Sequence, residues 1–110
     1  MGFAASQARL MYLIARRSDL ELETQFISQN RLYLANQVSS LFSQQARLDP
    51  ESQASRILEA KIKHLQMADK QLEMQLNRVK SQHDAVEQEI QSARKVIGSN
   101  IKDSFGLMGR

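Results

Sequence analysis

The chain has 110 residues, of which 42% are hydrophobic, 25% charged and 5% aromatic, with a formal net charge of +3. One Pro and four Gly leave almost no turn chemistry for a sheet, and ordinary apolar content with low net charge excludes a disordered chain. No Cys is present, which removes disulfide frameworks and thiolate metal sites. The length predicts one domain over residues 1–110, and the abundance of Ala, Leu, Gln, Ser, Lys, Arg and Glu is that of long helices.

The first helix is predicted over about residues 5–47, where no Gly or Pro interrupts the chain. Its longest apolar run, Leu10 to Ala15, is stopped by Arg16 and Arg17 and falls far short of the roughly 20 residues a membrane span needs. The double Arg follows this run and the helical pattern then continues without a small-residue cleavage site, so it does not read as a secretory signal. The expected location is the cytoplasm, or outside the cell after signal-less export of the type III kind.

Leu13, Leu20, Ile27, Leu34, Leu41 and Leu48 recur every seven residues on this helix, with Leu10 and Val38 broadening the row. The opposite side is not polar. Met11, Leu22 and Tyr33 recur every eleven residues, with Phe26 and Ala15 beside them, about half a turn from the first row. A helix apolar on two sides needs two partners, and one hairpin supplies one. Met11, Leu22, Phe26 and Tyr33 are therefore the expected self-association face.

Residues 48–50 form the expected bend, with Asp49 as N-cap and Pro50 at the first position of the second helix. That helix is predicted over about residues 50–105. Leu58, Leu65, Leu72, Val79, Val86 and Ala93 recur every seven residues, and Ile62, Leu76, Ile90 and Ile97 fill the complementary position. Asp69 and His83 interrupt this second row. Ile101, Phe105 and Met108 continue the apolar spacing and are expected to pack.

The predicted fold is all-α: a long antiparallel helical hairpin of the coiled-coil type that self-associates. Its seam comprises Leu13, Leu20, Ile27 and Leu34 against Leu58, Leu65, Leu72 and Val79. With the bend at Asp49–Pro50, facing residues have numbers adding to roughly 100, which sets Arg31 opposite Asp69. A carboxylate in a seam needs a partner, and an Arg supplies a bidentate one. The pair is expected to define register more than to add stability.

Catalysis finds no foothold. His64 and His83 are the only histidines, and no zinc-ligand pattern, Gly-rich phosphate loop or nucleophile elbow occurs. No catalytic residue, cofactor, metal or small-molecule substrate is expected, and the chain is not read as an enzyme. The pI of about 9.5 raises nucleic acid as a ligand. The basic residues are spread, however: five against three acids over residues 1–48, six against eight over 49–89, and four against one over 90–110. A DNA-reading helix would concentrate them, so nucleic acid is not the expected partner.

The segment Met1-Gly2-Phe3-Ala4-Ala5-Ser6-Gln7-Ala8-Arg9-Leu10, continuing through Ala15-Arg16-Arg17-Ser18-Asp19-Leu20-Glu21, resembles the start of a group of short, largely uncharacterised bacterial helical proteins. The likeness covers about the first forty residues and implies a bacterial origin. A Cys-free helical hairpin with a Pro-containing bend and an apolar C-terminal segment is also similar in architecture to needle and filament subunits of type III secretion systems. That resemblance implies polymerisation into a hollow helical tube. Those bends usually carry a second Pro, whereas Pro50 stands alone here. The expected function is a self-assembling structural subunit of a bacterial filament or tube. The alternative is a coiled-coil adaptor or export-associated chaperone for another helical protein.

Overall fold

The computed structural model describes residues 2–108, with the side chains of 104, 105, 107 and 108 left aside. Two helices, α1 (Phe3–Gln45) and α2 (Gln53–Met108), form a helical hairpin, and no strand occurs among the described residues.

Residues 46–52 form the bend, longer than the expected 48–50. At the end of α1 the Ala46 amide still reaches the Phe42 carbonyl four residues back. The Arg47 and Leu48 amides bond three residues back, to Gln44 and Gln45. This tightened last turn satisfies carbonyls that a plain helix end leaves open. Asp49 to Ser52 then make a β-turn, with the Ser52 amide donating to the Asp49 carbonyl at 3.0 Å and the Glu51 amide to Asp49 Oδ1 at 3.1 Å.

The N-cap of α2 is thus Ser52, not Asp49. Ser52 Oγ accepts from the Ser55 amide at 3.1 Å, the bond a capping hydroxyl makes to the third helical residue. Asp followed by Pro favours a β-turn start as strongly as a helix start, and here the turn prevails. The helix begins three residues later. No described residue has positive φ, so the reversal is achieved without glycine.

The chain divides into two compact units. Unit 1 comprises Met1–Glu23 and Val79–Arg110, and unit 2 comprises Thr24–Arg78. Within each, α1 and α2 segments run antiparallel. Arg9 meets Glu89 and Arg17 meets Glu87 in unit 1, while Arg31 meets Asp69 in unit 2.

Burial follows an alternation of three and four residues, with Ile14, Gln37, Ala68 and Glu87 half-buried beside it. On α1 it falls at Ser6, Leu10, Leu13, Arg17, Leu20, Thr24, Ile27, Arg31, Leu34, Val38, Leu41 and Gln45, all buried or half-buried. On α2 it runs from Ser55 through Leu58, Ile62, Leu65, Asp69, Leu72, Leu76, Val79, His83, Val86, Ile90, Ala93 and Ile97 to Asn100. This is the a/d seam of a coiled coil.

In unit 1 the seam is buried at Leu13, Leu20, Val79, Ile90 and Ala93 and half-buried at Leu10, Val86 and Ile97. Leu20 and Ile90 have no exposed surface, and Leu13, Ile90 and Ala93 form a cluster against which Leu10, Ile14 and Val86 pack. Each buried Leu or Ile contributes roughly 1.5–3 kcal/mol. In unit 2 Ile27, Ile62 and Leu76 are buried. The predicted seam residues Leu34, Leu58, Leu65 and Leu72 are only half-buried there. Ile101 is exposed rather than packed, and the side chains of Phe105 and Met108 lie outside the described residues.

Candidate functional site

Two features of this frame bear on function: the polar residues inside the seam and the outward face of α1. The d ladder of α1 is almost wholly leucine and isoleucine, but its a ladder is not. Leu10, Arg17, Thr24, Arg31, Val38 and Gln45 occupy it, so polar groups recur at Arg17, Arg31 and Gln45, two heptads apart. On α2 the polar a residues Ser55, Asp69 and His83 keep the same interval.

The structure brings these residues together in register. In unit 2 Arg31 Nε donates to Asp69 Oδ1 at 2.9 Å and Nη2 to Oδ2 at 3.2 Å, a bidentate fork. Glu73 Oε2 stands 4.0 Å from the same Nη2. The Arg31 hydrogen bond, more than its charge, holds the Asp69 carboxyl below the usual carboxylate range against the opposing pull of partial burial. Nearer the bend, Gln45 Nε2 lies 3.5 Å from both the carbonyl oxygen and Oγ of Ser55.

In unit 1 Arg17 Nη1 donates to Glu87 Oε1 at 2.9 Å, and its Nε lies 3.9 Å from Glu21 Oε1. His83 Nε2 shares a 3.1 Å hydrogen bond with that same Glu21 oxygen. Glu21, His83 and Glu87 thereby present three metal-competent atoms within 4.8 Å of one another. Arg17 already places its one cation against both carboxylates.

Hydrophobic periodicity could not find Arg17, Thr24, Gln45 or Ser55, because polar residues leave no trace in it. The signal that locates them is the unbroken three–four spacing itself, once register is known.

Both helices expose large apolar side chains, Ile57, Met67, Met74, Val96 and Ile101 on α2 among them, but their outward surfaces differ in charge. In unit 1 Met11 is 71% exposed, and Tyr12 and Leu22 also face out. In unit 2 Phe26, Leu32, Tyr33 and Phe42 do so, with Tyr33 at 62%. All four expected face residues are thus exposed, and Tyr12, Leu32 and Phe42 join them.

Between Thr24 and Ala46 the single charged residue of the chain is Arg31, which is spent on Asp69 in the seam. The outer surface of α1 in unit 2 is accordingly charge-free, built of Gln, Ser and Asn around apolar side chains. Across the seam, α2 carries eight charged residues over Gln53–Arg78.

No helix among the described residues is long and apolar enough to cross a membrane. No known protein family, curated protein or solved structure matches the chain.

Proposed function

We propose that the protein is a structural subunit that assembles with copies of itself, as a filament or tube, rather than an enzyme. The observation that carries this reading is the charge-free outer surface of α1 in unit 2, on which Phe26, Leu32, Tyr33 and Phe42 are exposed. Exposed charge keeps copies of a soluble protein apart, and apolar patches rimmed by polar groups mark interaction surfaces. A neutral face offers nothing to an oppositely charged ligand such as nucleic acid, yet two copies of it meet without repulsion. Its Gln, Ser and Asn side chains both donate and accept hydrogen bonds, so like can pair with like.

The seam supports the same division of labour. A parallel pairing of two α1 helices through their a/d faces would stack Arg17 on Arg17 and Arg31 on Arg31. Pairing with α2 instead gives each a carboxylate. The seam thus commits α1 to α2 within one chain and leaves the outer face for other copies. The likeness to needle subunits of type III secretion systems points to the same kind of assembly.

The test is light scattering coupled to size exclusion, with negative-stain microscopy, on the wild type and a Leu22→Ser/Phe26→Ser double variant. Wild-type polymers are expected, together with loss of polymer and retention of far-UV helicity in the variant. Wild-type-like assembly of the variant would remove the assigned face. A discrete wild-type monomer at every concentration would point to the adaptor or chaperone reading.

A further inference from the structure

Of the three polar layers inside the seam, two join one seam residue to the other. Arg31 forks onto Asp69, and Gln45 meets Ser55. The third layer differs. Arg17 and His83 are both seam residues, yet both turn to one flanking oxygen, Glu21 Oε1, at 3.9 and 3.1 Å. We infer that Glu21, His83 and Glu87 form a binding site for one divalent transition-metal ion of the zinc class, which ties α1 to α2 within unit 1. The inference is independent of the self-association reading above.

Spacing is the first argument. His83 and Glu87 stand four residues apart on α2 and so share a face on adjacent turns, while Glu21 comes from α1. Their donor atoms all lie within 4.8 Å of one another. A tetrahedral zinc ion with ligands at about 2.0–2.2 Å holds its donors roughly 3.4 Å apart. His83 Nε2 and Glu21 Oε1, at 3.1 Å, already stand near that separation. Side-chain rotation of Glu87 closes the triangle.

Charge is the second argument and does not depend on spacing. Among the described residues, Arg17 is the one permanently charged cation within 4.0 Å of either carboxylate. Two carboxylates thus share one guanidinium. A divalent ion matches them charge for charge, and Arg17, whose side chain is 25% exposed, swings its head into water while its stem stays on the seam. Glu21 lies on the open side of the layer, its side chain 57% exposed, which gives the ion an entry path and a water as fourth ligand.

The donor set selects the ion. One imidazole nitrogen with two carboxylate oxygens suits zinc and its transition-metal neighbours, whereas Mg²⁺ and Ca²⁺ take six or more oxygens. His83 binds as the neutral ring, with its Nε2 lone pair on the metal and its proton on Nδ1. No sequence motif announces the site, because Glu21 and His83 are 62 residues apart and meet only across the hairpin.

Titration of the full chain with Zn²⁺ at neutral pH, followed by calorimetry and by thermal unfolding, tests the site. One ion per chain and a raised unfolding midpoint are expected, since only the folded hairpin brings Glu21 to His83. Mg²⁺ should produce neither response. Glu21→Gln and His83→Gln should each weaken zinc binding by at least about tenfold, while His64→Gln, outside the site, should titrate as the wild type does. Arg17→Gln removes the competing cation and should tighten binding, a gain that a misfolded chain cannot mimic. Zinc that leaves heat and midpoint unchanged would overturn the site. Binding that persists undiminished in both Glu21→Gln and His83→Gln, or that loosens in Arg17→Gln, would do the same.

Discussion

The two units use one heptad seam and close it to different degrees. In unit 1 Leu13, Leu20, Val79, Ile90 and Ala93 are buried. In unit 2 Ile27, Ile62 and Leu76 are buried, whereas the d residues Leu34, Leu41, Leu58, Leu65 and Leu72 stay half-buried. Cross-helix ion pairs flank the seam in both units: Arg9–Glu89 and Arg17–Glu87 in unit 1, Arg31–Asp69 and Arg31–Glu73 in unit 2.

The largest expected effect tests that contrast directly. Leu20→Ala should cost about 2–5 kcal/mol in urea denaturation, since its side chain is wholly enclosed. Leu65→Ala, half-buried, should cost only about 1 kcal/mol on a dilute, unassociated chain. Equal losses would break the comparison.

Next in size is the α2 cap, which belongs to unit 2 alone. Ser52→Ala removes the acceptor for the Ser55 amide and should cost about 1 kcal/mol. Hydrogen exchange should show the loss in amides of 53–78 first, with those of 79–97 retaining their protection. Uniform loss over both ranges would show that the units do not respond separately.

Acid gives the smallest and most specific effect. The hydrogen bond from Arg31 depresses the Asp69 pKa in the folded state. Its stabilising contribution is therefore complete above the unfolded carboxylate value, about 4, and is lost as pH falls through the lower folded value. Asp69→Asn should flatten the part of the stability–pH profile below about pH 4 that this group supplies. An unchanged profile would deny the pair that role. The partial exposure of both side chains keeps the effect modest through solvent screening.

Much of the frame was legible from residue order. Leucines seven apart predicted two paired helices, and counting outward from Pro50 set Arg31 opposite Asp69, where the bidentate contact lies. The bend was less legible, because Asp49-Pro50 suits a turn and a helix start equally, and only Ser52 Oγ on the Ser55 amide shows where α2 begins. The Arg17–Glu87 and Glu21–His83 contacts were hidden for a different reason. They join residues far apart in sequence, and the side chains that meet depend on reach across the seam rather than on spacing along one helix.

Residue order alone thus determined the helices, their antiparallel pairing and the outward row of Met11, Leu22, Phe26 and Tyr33. Each of these follows from a repeat along a single helix, and a helix turns by a constant angle per residue. Tertiary structure alone decided which seam positions are buried and which charges are paired across it. Those outcomes depend on contacts made between two helices, which periodicity along either one does not contain.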